Sequence, residues 1–344
     1  MRVTINDIAR AAGYSKTAVS FAFNDPGKIS TEARERILSV ADELGYVPDP
    51  VARSLQSRNN GTIGFLLPQA IPAALRNPYL VEVIAGIGEV LNREGLALTL
   101  LAPRKGSLLE TARAAAVDGL IALGLDPDTE VSHVIRNRRI PLVIIDGPAM
   151  PGIPVIGVND EDAAYIAMRH LIDHGHRSIA VLSMVDDAGP GTERYSATGT
   201  SRRHGWSRAL EENDLSWERD VVFLECPNSF AGGLRAADKL VADYSGVTGA
   251  AAMSDIIALG FMDGLKRSGV RVPWDMSVIG FDDIPAARLV TPALTTIWQP
   301  AQEKGNRAAE AVIAMIAGDS VEPQVRFRCR LVMRDTVTNA PVHV

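Results

Sequence analysis

Short apolar runs alternate with amphipathic stretches along most of the chain, from Gly61 onward. The runs include TIGFLL, GLIALG, PLVIID, SIAVLS and SVIGF, and they are separated by stretches such as PYLVEVIAGIGEVLNREG and EDAAYIAMRHLIDHG. Strands that are apolar throughout, alternating with helices, are typical of parallel sheets covered by helices on both faces. About nine strand–helix units are too many for one sheet of ordinary size. The pattern therefore predicts an α/β core of two lobes, each with a parallel sheet.

The first sixty residues have a different pattern, which predicts three short helices. The predicted N-cap residues of these helices are Thr4, Ser15 and Ser30. Ala9, Gly13 and Val19 have the spacing of a helix-turn-helix: a small residue where the helices cross, a glycine in the turn and a β-branched residue that packs the second helix. The same pattern fits a purely structural pair of helices, so both interpretations stay open at this point.

A large aromatic side chain falls on the polar side of the second predicted helix, YSKTAVSFAFN. Val19, Ala22 and Phe23 form one apolar stripe at i, i+3 and i+4. Phe21 lies roughly 200° from Val19, at about 100° per residue, among polar side chains. The sequence therefore predicts an aromatic ring on the outer side of this helix.

Composition restricts the compartment and the kind of partner. Two cysteines, Cys226 and Cys329, cannot form a disulfide framework and fit a reducing cytoplasm. The N-terminal residues MRVTINDIARAAG carry charges inside any would-be apolar h-region, which argues against a signal peptide, and no run approaches the roughly 18 apolar residues that span a bilayer. We expect a cytoplasmic protein with no membrane partner. The net charge is −6, but residues 1–60 carry eight Lys/Arg and seven Asp/Glu, so DNA contacts by this segment would depend on the placement of charges.

Motifs of catalysis are missing from the sequence. There is no P-loop, no GxGxxG after a strand and no serine elbow. His170 and His174 have a helical spacing that suits zinc, with His176 nearby, but no carboxylate or cysteine completes a ligand set. We expect a protein that is not an enzyme and has no metal or cofactor.

The order of several segments carries a resemblance that spans essentially the whole chain. These segments include TINDIARAAGYSKTAVSFAFND, GYVPDPVARSLQS, SRRHGWSRAL, SDIIALGFMDGL and VIGFDDIPAARLVTPALTTIWQP. The chain resembles the lactose-repressor (LacI/GalR) family of bacterial transcription regulators. This resemblance implies a helix-turn-helix headpiece at residues 1–48, a hinge helix and linker at 49–60 and a periplasmic-binding-protein-like effector core at 61–344. The implied lobes are about 61–160 with 295–322, and about 161–294 with 323–340.

For the headpiece, the resemblance implies that the helix from Ser15 to Asn24 enters the major groove. Lys16 and Thr17 would then reach base edges. The polar groups suited to phosphate contacts are Thr4, Ser15, Ser20 and Asn24. Phe21 stands where the family usually has an arginine. The ring either presses on a thymine methyl or folds back on the first helix, and our hypothesis is an A·T-leaning half-site.

The segment VARSLQS resembles the hinge of the family. Leu55 matches a leucine that wedges into the minor groove at the operator centre, where an apolar side chain kinks the duplex. Arg53 belongs to the same matching segment and is a further DNA-binding candidate. The alternative is a plain linker whose leucine packs on the third helix.

For the core, the resemblance implies an effector cleft between the lobes, at the carboxyl ends of the strands. Arg202 matches the effector arginine, whose guanidinium suits paired hydroxyls or a carboxylate. Asp282 would accept a hydrogen bond from a hydroxyl or an amine. The alternative for both residues is a surface ion pair or a loop carboxylate. Candidates with weaker claims at strand ends are Asn77, Tyr79, Asp146, Ser254 and Asp255.

Two departures from the family affect the ligand. This chain has Val158-Asn159-Asp160 where relatives commonly have Val-Asp-Asn, so the acceptor is either moved or replaced, and Asp160 is a candidate effector contact. Asn228 stands about where relatives often have an aromatic platform, and its loss disfavours a flat base or a stacked sugar face.

The sequence thus predicts a transcription regulator, acting as a repressor, which binds a palindromic operator as a homodimer. A small-molecule effector, a sugar or a related polar metabolite, would control it. No leucine heptad follows RDTV, which favours a dimer over a tethered tetramer. The rivals are a transport solute-binding protein, which would lack the headpiece, and an enzyme on a doubly wound scaffold.

Overall fold

The computed structural model describes residues 3–47, 60–126, 129–184 and 197–341. The chain divides into two compact units, one ending at Asn60 and one beginning at Gly61. The predicted hinge helix, with Arg53 and Leu55, lies outside the described residues.

The first unit is a small helical headpiece. Its helices are α1 (Ile5–Ala12), α2 (Lys16–Asn24) and α3 (Thr31–Glu43), with a 3-10 turn at Pro26–Lys28 between α2 and α3. The hydroxyls of Ser15 and Ser30 accept hydrogen bonds from the backbone N–H groups of Ala18 and Ala33, at 3.1 and 3.3 Å. These contacts confirm two of the three predicted N-caps, because each satisfies an N–H that has no partner within its helix.

Gly13 ends the first helix and sets the angle to the second. Its φ is +77°, in the left-handed region that glycine adopts without strain. Ile8, Val19 and Ile37, one from each helix, are fully buried against one another in the headpiece core. Ala22 is buried beside them and Phe23 packs on the same cluster, which confirms the predicted apolar stripe of α2.

The second unit contains two six-stranded sheets with the same strand order. In the first sheet the order is β11-β5-β4-β3-β1-β2 and all neighbours are parallel. Its strands are β1 (Thr62–Leu66), β2 (Ala97–Leu101), β3 (Gly119–Leu123), β4 (Leu142–Ile145), β5 (Val155–Val158) and β11 (Gln324–Phe327).

In the second sheet the order is β12-β10-β9-β8-β6-β7, and only β12 runs antiparallel to its neighbour. Its strands are β6 (Ile179–Met184), β7 (Val221–Cys226), β8 (Gly249–Ala252), β9 (Ser277–Asp282), β10 (Thr295–Trp298) and β12 (Arg330–Val332). The prediction of two parallel-sheet lobes is therefore confirmed.

Helices cover both sheets. They are α4 (Ile71–Ala74), α5 (Pro78–Arg93), α6 (Leu108–Ala114), α7 (Glu130–Asn137), α8 (Asp160–Asp173), α9 (Ala197–Glu211), α10 (Trp217–Asp220), α11 (Phe230–Asp243), α12 (Asp255–Arg267) and α13 (Ala301–Ala317). None of the described helices is both long and apolar enough to cross a membrane.

The chain passes between the lobes three times, and two of these crossings lie elsewhere than predicted. The first passage, from β5 to α8 at residues 158–160, agrees with the predicted boundary. The predicted assignment of 295–322 to the first lobe is wrong for β10, which pairs with β9 in the second sheet. The assignment of 323–340 to the second lobe is wrong for β11, which pairs with β5 in the first sheet.

In the segment RFRCRLVMRDTV, charged and apolar residues alternate, and the segment forms two strands, one in each sheet. Arg326 and Phe327 pair in the first sheet, whereas Arg330 and Leu331 pair with β10 in the second. Each strand is at the edge of its sheet. The alternation of apolar and charged residues marks a half-exposed strand but carries no information about which sheet it joins.

Candidate functional site

The outer face of α2 displays the residues predicted to contact DNA. Lys16, Thr17 and Asn24 are exposed, and Ser20 is half-buried. The Asn24 side-chain amide donates to the Ser20 hydroxyl at 3.4 Å. The other two predicted phosphate contacts, Thr4 and Ser15, are exposed at helix starts and also have partners within the chain. The Thr4 hydroxyl donates to Asp7, and the Ser15 hydroxyl accepts from the Ala18 N–H.

Phe21 is half-buried and is not part of the headpiece core cluster. The ammonium of Lys28 lies 5.6 Å from the centre of its ring. The same ammonium forms an ion pair with Asp25 at 2.8 Å. The Phe21 ring therefore lies outside the headpiece core, with the Lys28 ammonium next to it.

In the core, a fully buried lysine connects predicted residues of the two lobes. Lys304, in the first turn of α13, has 0% exposure. Its ammonium donates to Asp146 Oδ1 at 2.6 Å, to the Tyr79 hydroxyl at 3.0 Å and to Gln299 Oε1 at 2.5 Å. The Gln299 amide in turn donates to Asp282 Oδ1 at 2.5 Å. A continuous set of polar contacts thus runs from the end of β4 in the first lobe to the end of β9 in the second.

Burial and nearby charges change the pKa values of Tyr79 and Asp282 in this set of residues, which we call the Lys304 cluster (Tyr79, Asp146, Asp282, Gln299 and Lys304). The Tyr79 hydroxyl donates to Asp146. Burial, followed by the nearby Asp146 charge, raises the pKa of Tyr79 well above its usual value. Burial, followed by Asp255, raises the pKa of Asp282 well above that of an exposed carboxyl. The neutral forms of both groups are therefore favoured.

Arg202, on α9, is the second buried cation and has 5% exposure. Its Nε donates to Asp160 Oδ1 at 2.9 Å, its Nη1 donates to the Met253 carbonyl, and its guanidinium stacks 3.5 Å from the centre of the Phe281 ring. Burial raises the pKa of Asp160, while Arg202 opposes this effect. The pair is deeply buried, so Arg202 is not in a surface ion pair.

The segment Val158-Asn159-Asp160 differs from the usual Val-Asp-Asn of relatives and left the position of the acceptor open. The contact with Arg202 shows which of these residues is the buried acceptor. Asn159 caps α8 and accepts from the Asp162 N–H at 3.3 Å, whereas Asp160 points to Arg202. The buried acceptor is therefore at residue 160, one position after the usual aspartate of the family.

Three further predicted residues lie at helix starts around these contacts. Asn77 accepts from the Tyr79 N–H at 3.1 Å as the cap of α5. Ser254 caps α12, and its hydroxyl donates to Asn228 at 2.7 Å. Ser254 follows Met253, whose carbonyl binds Arg202. These three residues border the two buried cations and make no described contact with them.

A pocket of about 380 Å³ adjoins the Lys304 cluster. Of the predicted residues, Tyr79 and Asp282 line it, together with Gln299 and Trp298. Arg202 and Asp160 do not line this pocket. The predicted site is therefore open to a small molecule on the side of Tyr79 and Asp282.

Sequence reasoning missed Lys304, Gln299 and Phe281. A signal existed for Lys304, because it shares the apolar stripe of α13 with Ala301, Gly305 and Ala308, all of which are buried. A lysine in such a stripe needs a buried partner. The sequence offered no means of choosing that partner.

Comparisons with known proteins agree with this architecture. Residues 4–49 match the family described as bacterial regulatory proteins, lacI family, and residues 168–337 match the periplasmic binding protein-like domain. The chain is 34% identical to the HTH-type transcriptional repressor PurR of Vibrio campbellii (strain ATCC BAA-1116) over 97% of this chain and 98% of that protein.

Two solved structures extend the similarity. The crystal structure of a LacI family transcriptional regulator from Corynebacterium glutamicum is 28% identical, covers 98% of both chains and has a TM-score of 0.73. The transcriptional regulator CelR, in complex with cellobiose, is 25% identical over 97% of this chain and 100% of that chain, with a TM-score of 0.69. The curated relatives are transcriptional repressors, in agreement with the expectation of a protein that is not an enzyme. The chain therefore belongs to the LacI family of bacterial regulatory proteins and is a DNA-binding transcriptional repressor of that family.

Proposed function

We propose that this repressor binds a palindromic operator as a homodimer in the cytoplasm and that a neutral, hydroxyl-rich small molecule between the core lobes controls this binding. The observation that carries the proposal is the coexistence of two features in one chain. The headpiece exposes the polar side of α2, and the core joins the strand ends of both lobes through the Lys304 cluster. The first feature suits DNA and the second suits a ligand.

On the DNA side, Lys16 and Thr17 at the start of α2 would reach base edges in the major groove. Ser20 and Asn24 lie further along the same helix and would contact phosphates. One headpiece reads only a few base pairs, so two copies on two half-sites are needed for a specific operator. Arg53 and Leu55 remain proposed hinge contacts in the minor groove, on the resemblance alone.

The proposed operator has A·T pairs where Phe21 faces the groove, because a phenyl ring cannot donate to guanine but fits against a thymine methyl. Selection of duplexes from a random library by the full-length protein tests this. We expect palindromic sites with A·T at that position, and Phe21→Arg should shift the preference toward guanine. Strong guanine enrichment with the wild-type protein would refute the A·T proposal.

The charges of the core favour a neutral effector. Each buried cation already has a carboxylate partner: Lys304 pairs with Asp146, and Arg202 with Asp160. The raised pKa of Asp282, caused by burial, favours its neutral form. The two ion pairs and the neutral Asp282 carboxyl can form hydrogen bonds with a ligand but carry no net charge together. Such groups suit the hydroxyls of a sugar or polyol. The cellobiose complex of the CelR relative supports the same class.

Thermal-shift screening followed by calorimetry tests the effector class. The probes are D-ribose, D-glucose and cellobiose on one side and hypoxanthine and adenosine on the other. We expect a sugar to raise the Tm and to change DNA affinity. A response to the nucleobases alone would overturn the sugar proposal while leaving the repressor proposal intact. Mass spectrometry of small molecules released from natively purified protein would find ligands outside this panel.

A matched pair of arginine variants tests whether ligand binding depends on the buried contacts of Arg202. Arg202→Lys should abolish the thermal shift, since lysine cannot reproduce the contacts of Arg202 with both Asp160 and Met253. Arg208→Lys is the control. Arg208 lies on the same helix but binds Glu161 and Asp162 on the surface, so the shift should persist.

A further inference from the structure

We propose that Phe21 is a positioning residue that holds the ammonium of Lys28 on the DNA-facing side of α2, and that Lys28 supplies a phosphate contact there. In this arrangement residue 21 does not contact guanine, as the usual arginine of the family would. The positive charge is supplied instead by Lys28, in the turn that follows the helix. This inference rests on the proposed operator binding and adds to it a residue outside the predicted contacts.

The local backbone brings Lys28 back to α2. The helix ends as the Asp25 N–H donates to the Phe21 carbonyl at 2.9 Å, and the Lys28 N–H then donates to the Asp25 carbonyl at 3.0 Å. Pro26 begins the intervening 3-10 turn, where its fixed φ is already suitable. Because the turn is so short, the side chain of residue 28 lies alongside residue 21.

Two groups hold the Lys28 ammonium in this position. The ring centre of Phe21 is 5.6 Å away, within the roughly 6 Å range of cation–π attraction. Asp25 Oδ2 is 2.8 Å away. An ammonium has three N–H donors, so protons remain for an additional acceptor. The lysine side chain is 63% exposed, so the ammonium can reach such an acceptor.

The helix face that receives Lys28 is the one that carries the other DNA candidates. Thr17, Phe21 and Asn24 follow one another at i, i+4 and i+7, and so lie on one side of α2. Lys28 therefore adds a positive charge beside these polar groups. A lysine ammonium acts as a point charge that suits a phosphate, and phosphate contacts supply much of the affinity of DNA-binding proteins.

The phosphate contact is tested with full-length Lys28→Met. Anisotropy titrations between 50 and 300 mM KCl would use two duplexes: the site that the wild-type protein selects and a non-cognate duplex of 40 base pairs. We expect about 5- to 10-fold weaker binding per headpiece at 0.1 M salt on both duplexes, and a salt slope smaller by about 0.9 per headpiece. Lys28→Arg should retain most of the affinity and the slope.

The positioning role is tested by changing the ring. Phe21→Leu keeps an apolar side chain but removes the aromatic face, and should lower the salt slope in the same direction as Lys28→Met. Phe21→Tyr keeps the aromatic face and should preserve the slope. In the double variant Phe21→Leu/Lys28→Met the loss should be smaller than the sum of the single losses, because both changes remove one contact.

Asp25→Asn separates DNA contact from turn stability. If Lys28 only stabilises the turn, this substitution should weaken binding as Lys28→Met does. If Lys28 binds phosphate, removal of a competing carboxylate should strengthen binding to both duplexes. Thermal unfolding of each variant shows whether the headpiece remains folded.

The inference is overturned if Lys28→Met leaves the salt slope unchanged, if it relaxes the preference at a single base pair only, or if its loss adds fully to that of Phe21→Leu. Failure of the proposed function gives a different result. The wild-type protein would then select no duplex, while the non-cognate duplex would still report whether Lys28 contributes to the salt slope.

Discussion

At the scale of single residues, the ammonium of Lys304 is the most demanding group in the core. It is fully buried, and its three protons are matched by Asp146, Tyr79 and Gln299. A buried charge with such partners contributes less net stability than its geometry suggests, because both ions lose their hydration. Removing one partner is costly, however, since the other charge is left buried and uncompensated.

We therefore expect Lys304→Met to lower the free energy of unfolding by about 3–5 kcal/mol. Urea denaturation of the full-length protein measures this loss. The double variant Lys304→Met/Asp146→Asn should recover part of it, because no charge is left without a partner. If the double variant is as unstable as the sum of both single variants, the two side chains do not compensate each other.

Asp255 gives a second residue-scale prediction, concerning pH. Its carboxylate accepts from the Thr296 hydroxyl at 2.5 Å and from the Ile284 N–H at 2.9 Å, yet burial raises its pKa to about 7. Between about pH 4 and pH 7 the unfolded state has lost this proton while the folded state keeps it. The contribution of Asp255 to the free energy of unfolding therefore falls as pH rises through this window, and is constant above it.

Comparison with Asp255→Asn isolates this contribution. We expect the stability of the wild-type protein, relative to the variant, to decrease from pH 4.5 to pH 7.5 and then to level off. Urea unfolding at four pH values across this range and up to pH 9 provides the measurement. A difference that does not change with pH would mean that the folded protein ionises Asp255 like the unfolded chain.

At the scale of elements, glycines allow pairs of helices to cross at backbone contact. A Cβ atom at Gly86 of α5 would collide with the Gln302 carbonyl of α13, and one at Gly305 of α13 would collide with the Val83 carbonyl of α5. The pairs α8–α9 and α11–α12 have glycines in equivalent contacts, at Gly205 and Gly260. Close approach of α13 to α5 brings Lys304 to Tyr79, so this crossing builds part of the Lys304 cluster.

Gly86→Ala should therefore destabilise the core by about 1–3 kcal/mol, as overpacking does. Gly88→Ala is the matched control on the same helix, because its Cβ would meet no atom within 4 Å. The control should be neutral or should gain up to about 1 kcal/mol from better helix propensity. Equal effects of the two substitutions in thermal or urea unfolding would contradict a backbone contact at Gly86.

At the scale of the whole molecule, the three passages between the lobes would link binding of the proposed effector to lobe geometry. The Lys304 cluster joins these lobes through Gln299, which lies on the second passage. A ligand that binds one lobe arrangement better than another will shift the equilibrium toward it.

Thermodynamic linkage between sugar binding and operator binding gives a prediction at this scale. If a sugar changes the Kd for the operator by some factor, the operator must change the Kd for that sugar by the same factor. Calorimetric titration of the sugar with and without the selected duplex, and anisotropy titration of the duplex with and without the sugar, measure both factors. A sugar that binds with no effect on DNA affinity would be a ligand but not an effector.

Local features of this protein were readable from the sequence. Ser15 and Ser30 cap their helices, Gly13 ends α1 in the left-handed region, and the apolar runs form parallel strands. Each of these features depends on residues within about one helical turn or on one face of a strand, so the sequence itself contains the cause.

Tertiary structure decided which distant groups meet. Lys304 binds Asp146 across 158 positions of sequence, and two halves of one alternating segment enter different sheets. No local preference distinguishes these partners, because any buried acceptor satisfies an ammonium and any sheet edge satisfies a strand. The sequence by itself determined the helices, the strands and the polar residues at their ends. Only the packing of the two lobes determined which of those residues form ion pairs and hydrogen bonds with one another.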